Sequence, residues 1–535
     1  MSSFLTIKGI PPQAIIIAFF MYILGSLLTG YLPGSDEYLQ AQASLNLSAD
    51  LGYTMLRHLY DLPIACPKDC YPDHVYLSAY PPGYSLLIYI TALIFDHVMS
   101  IIIIKFIFII IAYLSWIYFL VNYLFDNEYN LTFRLVVAAF LTLISFQSTT
   151  DVILAGCIPV FFQIYKEVMS NTLRTSTILI FNLTTSFALL IKYQALFIVF
   201  PFYPITVALL CYRKKFKICL EFIYASSIPL FTTAAYLGFS YAYTGNISTQ
   251  MINNWQLPNF SITTLTNLFT TDLWSYLSVI FHESFLVTRY LSKLLGSIGI
   301  PHDMLLIGSC VYFLIFGIIL ACGAKTIVKK NKGLFLSFTL IVYFSNSSLL
   351  LLLHFFSPSL NSDFNPVLYF RYHTFLTLLL LMIIIMPQTT RFKYLSHLIA
   401  VQFFVFTIVF AGIKAIEAKR SLSVSAVVNS YLRHIEDRNE NHQLLFFSDH
   451  RIWRSDWSSD NLYRYSLADF LDLPQALPPK TIVVLVCSKD NKGLLGQRVS
   501  EGCSNVLLYA EKLRSTVTGI EQIDAEDFIL LKGFI

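Results

Sequence analysis

Two adjacent carboxylates, Asp36 and Glu37, stand just past the first long apolar stretch of the chain, within Gly34-Ser35-Asp36-Glu37-Tyr38. A carboxylate within hydrogen-bond reach of a hydroxyl or amine can take its proton as that group attacks, so the pair suits general-base chemistry in a group transfer. Asp36, nearer the apolar stretch, is the first choice as base. The same residue types also suit a helix start, where carboxylates meet free N–H groups and the positive end of the helix dipole. The loop that opens here closes on Tyr80-Pro81-Pro82-Gly83-Tyr84. No Walker motif, dinucleotide-binding glycine fingerprint or zinc-protease helix occurs, which argues against nucleotide-dependent chemistry. Nucleic acid is not an expected partner.

Membrane helices must position these residues. Of 535 residues, 56% are hydrophobic and only 13% charged, and the mean hydropathy is +0.64. Soluble chains carry about a quarter charged residues. A span takes about twenty apolar residues, and about eleven such stretches are expected. The first covers 10–31 and reads as an uncleaved signal anchor. The second covers 99–125, the third 132–148, and the fourth lies between Asp151 and Asn171. The fifth covers 177–190, the sixth ends at Tyr212, the seventh covers 218–239, and the eighth ends at Lys325. The ninth runs to Phe356, and the last two cover 372–386 and 395–413. A first outer loop then spans 32–98 and a second 241–301. Within the first, a polar stretch over 36–50 and an apolar one over 84–95, too short to span, read as loop or interfacial helices.

Charge fixes the expected orientation. With the N-terminus inside, the inner loops hold Arg134, Arg174, Arg213 to Lys217, Lys325 to Lys332, and Arg391 to Lys393. Those are the basic clusters of the short loops, as the positive-inside rule requires. The membrane domain is assigned to 1–414. Residues 421–535 are polar and mixed in charge, with strand-like runs at 444–447, 481–486 and 528–531 and a helical pattern over 426–435. They read as a small α/β domain on the outer side, as the odd span count places it. The expected fold class is thus an all-α polytopic membrane protein with a C-terminal α/β extracytoplasmic domain. Cys66 with Cys70, and Cys487 with Cys503, would face an oxidising compartment and can pair there or stay as thiols.

The ordered set Asp36-Glu37-Tyr38 then Tyr80-Pro81-Pro82-Gly83-Tyr84 resembles the GT-C superfamily of polyprenyl-phosphate-sugar glycosyltransferases, which includes aminoarabinose transferases and protein O-mannosyltransferases. The resemblance extends through Lys105, Thr150-Asp151, Lys192-Tyr193-Gln194 and Arg371-Tyr372. It implies inverting transfer of a monosaccharide from a polyprenyl-phosphate donor, with Asp36 and Glu37 as the catalytic pair. The leaving phosphate needs cations, and Lys105, Lys192 and Arg371 are the implied ligands, Arg371 able to grip two oxygens at once. Each of the three equally suits an interfacial anchor. Asp151 matches the second acidic position and would bind acceptor or orient Asp36; capping the fourth span is its alternative. His282-Glu283 would join Asp36 if a divalent metal ion takes part, as in some relatives. Two departures stand out. Tyr80 replaces a basic residue before Pro81-Pro82, and Gly83 replaces Leu, which argues against a direct phosphate role for this turn and against either named subfamily.

The resemblance further implies a lipid, glycan or protein acceptor in a bacterial inner membrane, among membrane lipids, with N-terminus cytoplasmic and site outside. One rival is a membrane glycan polymerase or ligase, against which the early Asp-Glu and the Pro-Pro loop end argue. A lipid-linked glycan transporter is the other, but it predicts inverted repeats and midplane charges that the sequence lacks.

Overall fold

The computed structural model describes residues 20, 35–48, 52–56, 74–76, 80–95, 97–119, 123, 137–138, 141, 148–244, 299, 317–356, 378–379, 382–383, 394, 427–428, 430–432, 434–435, 443–448, 462–466, 481–489, 503, 506–516, 518–525 and 528–534. In chain order the elements are helix α1 (Ser35–Ser48), strands β1 (Thr54–Leu56) and β2 (His74–Tyr76), and helices α2 (Gly83–Ala92), α3 (His97–Phe119), α4 (Thr149–Met169), α5 (Thr175–Ile191), α6 (Gln194–Val199), α7 (Phe202–Tyr212), α8 (Phe216–Thr244) and α9 (Gly333–Phe356). Strands β3 (Gln443–Ser448), β4 (Leu462–Ser466) and β5 (Thr481–Ser488) follow, then α10 (Val506–Thr516), β6 (Thr518–Asp524) and β7 (Phe528–Phe534). The described residues are mostly helical. Among the described residues four helical segments are long and apolar enough to cross a membrane: Met99–Phe119, Thr149–Met169, Gln194–Tyr212 and Phe216–Ala242. As expected, α2 is a separate apolar helix too short to span. The spans expected at 10–31 and 395–413 fall outside the described residues, apart from residue 20. The described residues fall into two compact units, one holding those of 1–23, 78–87 and 103–409, the other those of 24–77, 88–102 and 410–535.

In the first unit α4 is the central helix, its side chains buried around most of its circumference. Its contact with α3 is close because the residues are small: a Cβ on Gly156 would sit 3.0 Å from the Cβ of Ala112. Small residues are what let membrane helices approach this closely. Pro159 lies inside α4 and has no N–H for the carbonyl four residues back, Ala155. The indole of the fully buried Trp116 donates to that carbonyl at 2.9 Å, so the orphan is satisfied from α3. Ser115 adds a bond to the Gly156 carbonyl at 3.1 Å. On another side α4 meets α9 through edge-on rings, Phe162 and Phe338 at 5.2 Å.

One end of this unit is basic. Helices α4 and α7 and the helical residues 317–329 end in the same turn, with Asn171, Lys214 and Asn331 at φ 63°, 56° and 57°. In each, two successive N–H groups fold back: Thr172 to Glu167 and Asn171 to Val168, Lys215 to Leu210 and Lys214 to Cys211, Lys332 to Ile327 and Asn331 to Val328. This is the Schellman closure, for which asparagine tolerates the left-handed residue. Arg213 donates to the carbonyls of Val168 and Met169, and Lys215 to that of Asn171 at 3.2 Å. Cations on exposed helix carbonyls complement the negative end of the dipole.

In the second unit α1 is unusual for its polar buried face: Glu37, Gln40 and Ser44, at helical spacing, are all nearly inaccessible. Strands β1 and β2 pair antiparallel. The C-terminal sheet has the order β4-β3-β5-β7-β6, with β3 parallel to β4 and β5, and β7 antiparallel to β5 and β6. Central strand β5 is a continuous apolar run because both of its faces are covered. Ile482, Val484 and Val486 pack with the helical residues Val428, Leu432 and Ile435, while Val483, Leu485 and Cys487 pack with Tyr509 and Leu513 of α10. Cys487 and Cys503 are joined by a disulfide. The strands and helix expected at 444–447, 481–486, 528–531 and 426–435 are present, whereas β4, β6 and α10 were not anticipated.

Candidate functional site

The opposite end of the first unit is organised by a break in one helix. α5 stops at Ile191, Lys192 is extended (φ −155°, ψ 129°), and α6 starts at Gln194. Three consecutive side chains leave this break in three directions. Lys192 forms an ion pair with Oδ1 of Asp151, at the start of α4. Tyr193 donates its hydroxyl to that of Tyr236 on α8 at 2.6 Å, and Tyr236 donates to the Tyr80 carbonyl at 3.0 Å. Gln194 donates to Asn346 of α9 at 2.9 Å, and both are buried. The Pro81-Pro82 turn is thereby tied to the break, and Gly83 is why it fits. A Cβ on Gly83 would stand 2.5 Å from the Leu190 carbonyl oxygen and 2.8 Å from its carbon. Glycine at position 83 is demanded by this backbone contact. From the basic turn before Phe216, Tyr236 lies about 30 Å along α8 at 1.5 Å per residue, close to the thickness of a bilayer core.

Asp151 is the third residue of α4, after Ser148 in the cap position, so its role is the ion pair rather than the cap. It is 4% exposed and Lys192 16%. A helix N-terminus favours a carboxylate, which helps hold Asp151 in this buried position. Its Oδ2 accepts no hydrogen bond among the described residues, leaving one buried acceptor for an incoming hydroxyl or amine. The pairing also neutralises Lys192, so this ammonium meets a phosphate only by sharing or leaving Asp151.

Beside the break, a cavity of about 270 Å³ is lined almost wholly by carbon, from Leu189, Leu196, Val199, Phe200, Pro229 and Leu230 among others. Two of the hydroxyls at its wall bond within their own helix, Ser226 to Phe222 and Thr233 to Pro229, and a third, Tyr203, donates to Asn182 of α5. Such a wall suits a hydrocarbon chain and offers little to a sugar.

Of the residues singled out from the sequence, the fold brings together Tyr80, Pro81, Pro82, Asp151 and Lys192. Lys105 is half-buried on α3. Asp36 and Glu37 belong to the second unit, in the first turn of α1, where the Glu37 side chain is fully buried; nothing is described of the Asp36 side chain. On the same helix Ser48 lies 3.2 Å from the His97 ring at the start of α3. Arg371, His282, Glu283, Cys66 and Cys70 lie outside the described residues. Among the described residues no three His, Cys, Asp or Glu side chains gather to hold a metal ion. Sequence reasoning missed Tyr236 and Asn346. Asn346 carries a usable signal, a buried amide inside an apolar helix; Tyr236, one of 33 tyrosines, carries none. Compared with known proteins, the sequence matches no family model and no curated protein.

Proposed function

We propose that the chain is an integral membrane glycosyltransferase that moves a monosaccharide from a polyprenyl-phosphate donor to a lipid, glycan or protein acceptor. In this reading about eleven spans place the N-terminus in the cytoplasm and the site outside a bacterial inner membrane. One observation carries it. Three stretches named from the sequence for this chemistry, Tyr80 to Gly83, Asp151 and Lys192 to Gln194, converge at the end of α5, away from the basic turns. Convergence of segments so far apart in the chain is what a site requires and what isolated helix caps and anchors do not.

Further features support the reading. The carbon-lined cavity next to the break suits the hydrocarbon part of a lipid-linked donor. The Cys487–Cys503 disulfide suits an oxidising compartment for the C-terminal domain. In the proposed reaction Asp36 takes the acceptor's proton, while Lys105, Lys192 and Arg371 stabilise the departing phosphate. Asp151 governs when Lys192 is available, and its second oxygen can orient the acceptor. The test is transfer of radiolabelled sugar from synthetic polyprenyl-phosphate donors by wild type and Asp36→Asn. Lost turnover with donor binding retained supports Asp36 as base. Undiminished turnover moves that role to Asp151. No turnover by wild type with any donor sinks the transferase reading in favour of transport.

A further inference from the structure

At the basic end, the turn between α7 and α8 is flanked by two thiols. Cys211, in the last turn of α7, is exposed, and Cys219, in the first turn of α8, is buried. Their Sγ atoms are 3.7 Å apart, each directed at the other across the turn. The turn itself holds Arg213, Lys214, Lys215 and Lys217. Arg213 and Lys215 anchor it to the carbonyls of Val168, Met169 and Asn171.

We propose that Cys211 and Cys219 are a modification site, a dithiol that exchanges with small-molecule disulfides and closes reversibly into an intramolecular disulfide. A disulfide needs its sulfurs at about 2.05 Å, so closure asks for the two sulfurs to approach by roughly 1.7 Å. The exposed Cys211 is the attacking group. Its thiolate displaces one thiol from the small disulfide and forms a mixed disulfide; the Cys219 thiolate then attacks the Cys211 sulfur and expels the second thiol. Two protein thiols are oxidised, one small disulfide is reduced to two thiols, and the two protons pass to those thiols. The bond closes a ring around the basic turn, so oxidation ties α7 to α8 at the place where Arg213 grips α4.

The test uses the full chain in nanodiscs, incubated with oxidised glutathione, then denatured and blocked with N-ethylmaleimide before trypsin digestion. Because Arg213, Lys214, Lys215 and Lys217 lie between the two cysteines, trypsin separates them, and only a disulfide keeps the two peptides together. The expected product is a linked Cys211–Cys219 peptide that dithiothreitol abolishes, while the buried Cys157 remains a thiol. In Cys219→Ser the resolving thiol is gone, and a stable glutathione adduct on Cys211 is expected. Independent alkylation of both cysteines in the oxidised wild type would overturn the proposal. So would an adduct persisting on wild-type Cys211 as stably as in Cys219→Ser.

Discussion

Removing either partner of the Asp151–Lys192 pair separates structure from chemistry at the helix break. Breaking a buried ion pair costs about 3–5 kcal/mol, because a charge is left without its partner in a poorly solvated place. The two single substitutions are not equivalent here. Lys192→Met leaves a carboxylate that is only 4% exposed without its ammonium, while Asp151→Asn takes from Lys192 one charged partner, and this ammonium is 16% exposed and carried on a long stem. The ammonium can move its head toward water and the carboxylate cannot. Lys192→Met should therefore cost about 4–5 kcal/mol and Asp151→Asn about 2–3 kcal/mol. The double variant removes both charges and should return to within about 1 kcal/mol of wild type, leaving a large coupling in the cycle. Denaturant titration of all four proteins in one detergent measures this. Equal costs for the two singles, or a double variant as unstable as their sum, would refute the buried pair. The transfer assay on the refolded double variant then decides the role. Activity that returns with stability makes the pair structural, whereas a stable but inactive double variant ties it to the reaction.

Two further substitutions probe how the helices are fixed. Trp116→Phe leaves the Ala155 carbonyl without its donor and should cost about 1–3 kcal/mol beyond the lost packing; in a Pro159→Ala background the restored N–H serves that carbonyl, so the excess should vanish from a double-mutant cycle. Gly83→Ala forces a methyl group into the Leu190 carbonyl at 2.5 Å and should lower stability by about 1–3 kcal/mol, read as a lower thermal midpoint and weakened tethering of the Pro81-Pro82 turn.

Much of the membrane unit was legible from hydropathy and charge, since long apolar runs bounded by Arg and Lys leave few choices. The helix end before Asn171, the interruption at Lys192-Tyr193-Gln194 and the stop at Tyr212 all follow from polar residues breaking such runs. What lay inside the runs was less visible. The apolar pattern singles out neither Pro159 nor Trp116, and only the third dimension shows one correcting the backbone defect of the other. In the C-terminal sheet, β5 was read because burial on both faces leaves an unmixed apolar signal. β6 was missed because it is an edge strand, mostly exposed, whose sequence Thr518-Gly519-Ile520-Glu521-Gln522-Ile523-Asp524 has little apolar weight. Asp151 could be read as an acidic residue at a helix start, but its pairing depended on where α5 breaks.

The two ends of the first unit satisfy their helix termini by different means, and that difference supports placing the proposed chemistry at the helix break. At the basic end the backbone closes on itself three times, in one turn geometry, and Arg213 and Lys215 donate to carbonyls at the end of α4. The closures themselves follow the local rules of helix termination. At the other end the helix is interrupted, and side chains of Lys192, Tyr193 and Gln194 bind partners from three other helices, one of which, Tyr236, also donates to the Tyr80 carbonyl beside the Pro81-Pro82 turn. Buried hydrogen-bonded and charged groups carry a desolvation cost that plain helix ends avoid. Simpler apolar packing would hold α4, α5, α8 and α9 together equally well. The retained carboxylate, ammonium, phenols and amides support placing the proposed reaction at that end, where Asp151 keeps one oxygen in the ion pair and the other without a hydrogen bond among the described residues.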